Sequence, residues 1–155
     1  MVIEHISFRP DFIRTIAQWQ FDQWHDLTGF STVEGYIAFL EQCVEGTTIP
    51  YVLVAHSDNQ LLGSVNLVAC DMTIRPELTP WLAQLFVSPD HRGQGIGTAL
   101  VHAAIERMRD EEFEWLYLYT SGTLPHYYER LGFTVRERVN YLGKERAVME
   151  YPLVR

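Results

Sequence analysis

The chain has 155 residues, of which 47% are hydrophobic and 21% are charged, so its composition is that of a folded domain rather than of a disordered or fibrous chain. Its 20 acidic and 12 basic side chains give a formal net charge of −8, which argues against nucleic acid and anionic membranes as partners because like charges repel. No apolar run reaches the length of about eighteen residues that a membrane-spanning helix needs, and the sequence predicts one domain over residues 1–155 in the cytoplasm.

The first third of the chain predicts one strand and two helices. Alternating apolar and polar residues predict a strand over residues 2–8, and the break at Pro10 opens a helix that runs to about Trp24. A second helix is expected from Ser31 onwards, because the Ser31 hydroxyl and the Glu34 carboxylate have the spacing of a capping box.

Two β-rich runs follow and predict an antiparallel hairpin. Residues 51–55 and 61–70 are mostly apolar, and the turn-forming cluster 57–60 separates them. A connecting loop comes next. Cys43 and Cys70 are predicted to be buried free thiols, because their positions lack the spacing of metal ligands and nothing indicates a disulfide.

A glycine-rich turn between a strand and a helix dominates the middle of the chain. Residues 82–87 form an apolar strand, residues 88–90 break it, and apolar residues recur at helical spacing over 100–108. Three glycines let the backbone turn tightly and bring successive N–H groups close to an anion, and the helix start adds the positive end of its dipole. These glycines are Gly93, Gly95 and Gly97. With the charge of Arg92, residues 92–98, called the glycine turn below, are predicted to bind a phosphate group.

The glycine turn differs from two common nucleotide-binding loops. A Walker loop needs a lysine after its last glycine, and no lysine occurs between Arg92 and Arg109. A dinucleotide-binding loop needs a third glycine, but Thr98 and Leu100 stand at the two positions that the spacing allows. The turn therefore predicts neither an NTPase nor a Rossmann enzyme.

The last third of the chain predicts a central strand, a short helix and a final hairpin. Residues 113–120 are apolar on both faces, and the helix before them implies a right-handed crossover that pairs them in parallel with strand 82–87. A short helix over 124–131 is followed by a glycine. Residues 133–141 and 146–154 are expected to close the chain as a hairpin.

Two of these segments resemble motifs of the GNAT superfamily of N-acetyltransferases. Arg92, Gly95 and Gly97 occupy the fixed positions of its R/Q-x-x-G-x-G/A signature, which cradles the pyrophosphate of acetyl-coenzyme A (acetyl-CoA). Residues 127–133 resemble the tyrosine-containing helix and the L-G-F turn that follow the fifth strand in many members. The resemblance covers residues 80–135 well and extends to the N-terminal half only in the order of its elements.

The resemblance implies an α/β fold of GNAT type. This is a mixed, mostly antiparallel central sheet of about six to seven strands, flanked by about four helices, with a parallel, splayed pair at its centre. It also implies acetyl-CoA as cosubstrate, a primary amine as acceptor, and no metal. Dimerisation is common in the family, often through end strands, although the sequence itself carries no sign of it.

The resemblance further implies which residues bind the coenzyme and assist the reaction. The backbone of residues 85–87 pairs with the pantetheine amides, the glycine turn holds the pyrophosphate, and Tyr127 is a coenzyme contact or a core residue. In full, these coenzyme candidates are Leu85, Phe86, Val87, Arg92, Gly93, Gln94, Gly95, Ile96, Gly97, Thr98 and Tyr127. Tyr128 matches the tyrosine that donates a proton to the departing thiolate; alternatively, it only packs its helix against the sheet.

The short helices after the first strand form the acceptor-binding wall in this family. Four aromatic residues are therefore candidates for substrate contact, although aromatic residues at helical spacing are more often core residues. They are Trp19, Trp24, Phe30 and Tyr36.

The general base is not where the family places it. Many members carry a glutamate on the fourth strand, but residues 80–85 contain no carboxylate. Glu77 is the candidate that we retain, with Asp71 and His126 as alternatives by chemistry, and each also fits a surface or loop position. The missing carboxylate supports a second interpretation, an inactive domain of the same fold that only binds or senses acyl-CoA, against which Tyr128 argues. A third, an interaction domain, would require both motifs to coincide by chance.

Overall fold

The fold is built on one seven-stranded sheet in the order β1-β2-β3-β4-β5-β7-β6, in a computed structural model that describes residues 1–154. The strands are β1 Val2–His5, β2 Tyr51–Ser57, β3 Gln60–Val68, β4 Trp81–Val87, β5 Trp115–Ser121, β6 Thr134–Tyr141 and β7 Lys144–Pro152. The α-helices are α1 Ile13–Trp24, α2 Val33–Glu45, α3 Ile96–Asp110 and α4 Pro125–Glu129. No helix within residues 1–154 is both long enough and apolar enough to cross a membrane.

Strand pairing agrees with the sheet expected from the sequence. Five of the six neighbouring pairs are antiparallel, while β4 and β5 run in parallel. Within the described residues, β4 and β5 share a single register pair, Trp81 with Tyr117. The mostly antiparallel sheet, its central parallel pair and its four helices confirm the predicted fold class.

The two faces of the sheet carry different layers. Leu53 of β2 packs into the core beneath α3, whereas its neighbours Val52 and Val54 pack into a second core with α1 and α2. A third apolar cluster contains Trp81 of β4 and Tyr117 of β5. Because side chains alternate along a strand and the neighbours of these two residues face α3, the third cluster lies on the face opposite α3.

Turn chemistry explains the two hairpins. Asp58 and Asn59, between β2 and β3, have φ values of 52° and 63°. Leu142 and Gly143, between β6 and β7, have φ values of 52° and 80°. Two-residue turns with positive φ match the right-handed twist of the strands they join, so each hairpin has the register that its alternating apolar residues require.

Three local predictions from the sequence were wrong. The first strand ends at His5, because the His5 imidazole accepts a hydrogen bond from the Ser7 N–H at 3.2 Å and starts a 3-10 turn. The cap of α2 is Thr32 rather than Ser31, since the Thr32 hydroxyl accepts from the Gly35 N–H at 3.2 Å. Cys43 is buried as predicted, but Cys70 is exposed because β3 ends before it.

Candidate active site

A bulge in β4 opens a gap in the middle of the sheet. Gln84 has a left-handed φ of 54°, and the pairing of β3 with β4 shifts register between Ser64 and Asn66. A β-bulge bends its strand and increases the local twist. Beyond the Trp81–Tyr117 pair, β4 therefore stays paired with β3 but has no register partner on β5.

A cleft of about 430 Å³ lies along the β4 side of this gap. Its walls come from the end of α1, residues 85–87, the glycine turn and Tyr127 of α4. Strands that separate leave backbone N–H and C=O groups without sheet partners, and these groups can then bind a ligand. The cleft thus combines free backbone polar groups with the start of a helix.

The glycine turn has the geometry of an anion site. Gly93 and Gly95 have φ values of 78° and 82°, a conformation that costs a side-chain-bearing residue about 1–2 kcal/mol. Gly95 is the N-cap of α3 and has no side chain to satisfy the first helical N–H groups. The Arg92 Nε donates to the Val87 carbonyl at 3.0 Å, while the residue stays exposed. The turn therefore places free amides, the helix dipole and a guanidinium around one space.

Gly97 lets α4 approach α3 closely. A Cβ atom at this position would lie 3.0 Å from the Tyr127 hydroxyl oxygen and 3.6 Å from Val87 Cγ2. The Tyr127 hydroxyl also lies 3.4 Å from Thr98 Oγ1. Tyr127 is therefore held against the glycine turn, where it lines the cleft.

Tyr128 has a different environment from that of its neighbour. Its ring packs edge-on against Phe133, with centroids 6.0 Å apart, next to the core beneath α3. Burial, with a smaller contribution from Tyr127, raises the pKa of the Tyr128 phenol to about 12. Its hydroxyl has no hydrogen-bond partner among the atoms of residues 1–154. Tyr128 is thus a neutral donor throughout the ordinary pH range.

The four aromatic candidates for substrate contact separate into two groups. Trp24 lines the cleft, and both Trp24 and Trp19 contact the Phe86 ring, at centroid distances of 6.2 and 4.8 Å. Tyr36 is fully buried in the core of α1 and α2, where it hydrogen-bonds the Thr28 hydroxyl. The Phe30 ring packs on Tyr36 at 5.1 Å. The structure therefore brings the two tryptophans to β4 and places the other two in the packing between helices.

Sequence reasoning missed a chain of three amide side chains that ends at the bulge. Gln20 of α1 donates to Asn66 Oδ1 at 3.2 Å, and Asn66 Nδ2 donates to Gln84 Oε1 at 2.6 Å. Gln20 and Asn66 are both fully buried. The available signal was polar residues at positions where the strand and helix patterns require apolar ones. The chain of amides holds the bulged residue in place.

Asn66→Ala should destabilise the protein by about 1–3 kcal/mol, because it leaves the buried amide of Gln20 and the half-buried amide of Gln84 without their shared partner. Urea unfolding followed by fluorescence measures this loss. Asn140→Ala is the matched control, since Asn140 lies exposed on β6, and surface changes of this kind stay within about 0.5 kcal/mol. Equal effects of the two substitutions would contradict the structural role of the amide chain.

The three candidate bases lie in different surroundings. Glu77 is exposed in the loop before β4, and its charge acts on Arg75. The His126 side chain is 85% exposed and lies 3.3 Å from Glu129 Oε1. Asp71, by contrast, is partly enclosed, and burial raises the pKa of its carboxyl to about 7.

Comparisons with known proteins agree with this geometry. Residues 49–135 match the family model described as an acetyltransferase (GNAT) domain. An uncharacterized N-acetyltransferase of Methanocaldococcus jannaschii is 39% identical over 83 residues, covering 48% of this chain and 36% of that protein. Human N-acetyltransferase 8B is 34% identical over 83 residues, covering 52% of this chain and 37% of that protein. The match thus spans little more than a third of either relative.

Solved structures share the whole fold at low sequence identity. An aminoglycoside 6'-N-acetyltransferase, complexed with coenzyme A, superposes with a TM-score of 0.77 at 17% identity and covers 100% of this chain and 98% of its own. A spermidine N-acetyltransferase from Vibrio cholerae gives a TM-score of 0.73 at 14% identity, covering 99% and 95%. At such identities the likeness concerns the fold.

Proposed function

Because the chain belongs to the GNAT family of acetyltransferase domains, we propose that it transfers the acetyl group of acetyl-CoA to a primary amine. The amine attacks the thioester directly while both substrates are bound. The observation that carries this proposal is the glycine turn at the edge of a gap between two parallel strands. It offers a site for a pyrophosphate and, next to it, room for an extended chain.

The coenzyme would lie along the cleft. Its pyrophosphate accepts from the amides of the glycine turn and from Arg92, which has free guanidinium donors beyond its bond to Val87. The pantetheine amides pair with the backbone of residues 85–87, which faces the gap. Tyr127 contacts the coenzyme from α4, since it lines the cleft beside Gly97.

Two groups assist bond breaking. A backbone N–H of residues 85–87 stabilises the negative charge that grows on the carbonyl oxygen during attack. Tyr128 donates its proton to the departing thiolate, a leaving group whose conjugate thiol has a pKa of about 8.5. Burial raises the pKa of the Tyr128 phenol to about 12, so the phenol is protonated at neutral pH, as an unperturbed tyrosine also is.

The amine must lose a proton before it can attack. An alkyl amine with a pKa of about 10.4 is neutral in only about one molecule in 2,500 at pH 7, which adds roughly 4.6 kcal/mol to the barrier. A group on the acceptor side must therefore accept this proton. Trp24 and Trp19, which flank Phe86, form the part of the acceptor wall nearest to the cleft.

Transfer is tested by following free thiol release from acetyl-CoA in the presence of a panel of amines. The panel contains spermidine, kanamycin, tyramine and a peptide with a free N-terminus. We expect turnover with at least one amine and the acetylated product by mass spectrometry. Tight acetyl-CoA binding without transfer to any member would support the inactive, acyl-CoA-binding alternative, and no acetyl-CoA binding would overturn both interpretations.

A further inference from the structure

Asp71 is a partly enclosed carboxylate with no charge partner among residues 1–154. It lies in the loop between β3 and β4, and it forms no hydrogen bond or ion pair with any of residues 1–154. Removing a carboxylate from water is costly unless a cation or donors compensate. Desolvation accordingly raises the pKa of the Asp71 carboxyl to about 7. Within residues 1–154 no cation pairs with this carboxylate, although the Arg146 guanidinium lies 5.9 Å from the centroid of the Tyr119 ring on β5.

The position of Asp71 is defined by Tyr119 of β5. Burial is the largest cause that raises the pKa of the Tyr119 phenol, and the negative charge of the Asp71 carboxylate is the second. Tyr119 follows Tyr117 by two residues, so it lies where β5 has just parted from β4. The loop is held in place by Thr73, whose N–H donates to the Tyr141 hydroxyl at 3.2 Å. Asp71 is thus placed beside the closed end of the gap.

Aromatic rings complete the surroundings of this carboxylate. The Tyr119 ring packs edge-on against Tyr141 and Trp81, with centroid distances of 5.6 and 6.3 Å. Aromatic faces attract cations through their quadrupole, most strongly where water is excluded. A carboxylate next to such rings selects an ammonium group over a neutral amine.

Asp71 and Tyr128 lie on opposite faces of the sheet. Tyr128 packs next to the core beneath α3, whereas Tyr119 alternates with Leu118, which is part of that core. Alternation along β5 therefore puts Tyr119 and Asp71 on the other face. A thioester bound in the gap would therefore have the Asp71 face on one side and the Tyr128 face on the other.

Building on the proposed function, we propose that Asp71 binds the ammonium group of the acceptor and takes its proton, so that the acceptor is an alkyl amine that is cationic at neutral pH. The ammonium nitrogen loses two protons in all. Asp71 takes the first, the nitrogen lone pair then forms the N–C bond, and the C–S bond breaks. The second proton from the nitrogen replaces the proton that Tyr128 gives to the thiolate.

Several titratable groups surround this site. Tyr119 of β5 faces Asp71, and Tyr141 of β6 and Arg146 of β7 act in turn on Tyr119. Cys70 adjoins Asp71 on the same loop, and its thiol donates to the Met72 carbonyl at 3.5 Å. Asp71 accepts protons only when ionised, so kcat/KM for an alkyl amine should rise as the pH passes about 7.

Asp71→Asn tests this role, with Asp110→Asn as the matched control, because Asp110 is an exposed aspartate at the end of α3. We expect kcat/KM for the alkyl amines of the panel to be at least about 100-fold lower in the Asp71 variant. The rise in rate near pH 7 should also disappear. Acetyl-CoA binding by calorimetry should not change. Hydroxylamine, which is uncharged at neutral pH, should remain a substrate of both variants. Asp110→Asn should behave like the native protein.

A stability measurement separates this role from a structural one. A carboxyl whose pKa is higher in the folded than in the unfolded protein lowers the free energy of unfolding once the pH exceeds its pKa in the unfolded state. This destabilisation is complete when the pH exceeds its pKa in the folded state. Asp71→Asn should therefore raise the melting temperature at pH 8. A lower melting temperature, an unchanged alkyl amine rate, or an equal loss with hydroxylamine would each overturn the inference. If the native protein acetylates no amine at all, the proposed function fails and this inference fails with it.

Discussion

Gly95→Glu should lower the affinity for acetyl-CoA by more than about 100-fold, as measured by titration calorimetry. A glutamate at the N-cap of α3 places its carboxylate at the free amides and the positive end of the helix dipole. It thereby occupies the anion site and repels the pyrophosphate. The loss corresponds to more than about 2.7 kcal/mol of binding free energy.

The fold should survive this substitution. A Cβ atom added to Gly95 has no heavy atom within 4 Å, so the cost is the strain of a side chain at a φ of 82°. Gly143→Glu is a matched control, because Gly143 has a φ of 80°, equally open surroundings and a position in the β6–β7 turn. Similar melting temperatures are expected for the two variants. If both bind acetyl-CoA like the native protein, the glycine turn is not the pyrophosphate site.

Tyr128→Phe should lower kcat by about 100-fold and leave the KM for acetyl-CoA nearly unchanged. The substitution removes only a hydroxyl, which has no protein partner in residues 1–154, and keeps the ring on Phe133. Because burial raises the pKa of this phenol to about 12, its ionisation should not appear in the kcat profile below pH 10. Steady-state kinetics with the best amine of the panel measure these effects.

Tyr127→Phe provides the contrast on the same helix. Tyr127 lines the cleft and lies 3.4 Å from Thr98 Oγ1, so we expect weaker acetyl-CoA binding with little change in kcat. These two results together would assign coenzyme binding to Tyr127 and proton donation to Tyr128. The reverse pattern would transfer the role of proton donor to Tyr127.

Local patterns were enough to predict the parts of the fold that depend on short stretches of chain. Helix α3, the β2–β3 hairpin and the parallel β4–β5 pair follow from periodicity, turn residues and the crossover rule. The glycine turn could be predicted because spacing along the chain sets its geometry. Capping was harder to predict, since the side chains of Ser31 and Thr32 differ only by a methyl group while the backbone decides which of them caps α2.

Features that depend on distant parts of the chain could not be predicted from the sequence. Gln20, Asn66 and Gln84 meet only when α1, β3 and β4 assemble, so their polar character had no visible purpose. Asp71 and Glu77 belong to the same loop and are chemically equivalent in the sequence. Only packing against β5 distinguishes them, by enclosing Asp71 and leaving Glu77 in water.

The single register pair between β4 and β5 has a consequence for the order in which substrates bind. Trp81 and Tyr117 alone pair these strands within the described residues, so the two halves of the sheet are joined through one register pair. An extended ligand that forms hydrogen bonds with both strands would replace the missing hydrogen bonds between them and would stabilise the sheet by its binding energy. The face around Asp71 takes side chains from both halves, including Trp81 and Tyr119. If acetyl-CoA binds between these strands as proposed, it would complete the surface on which the amine docks, and we expect it to bind before the amine.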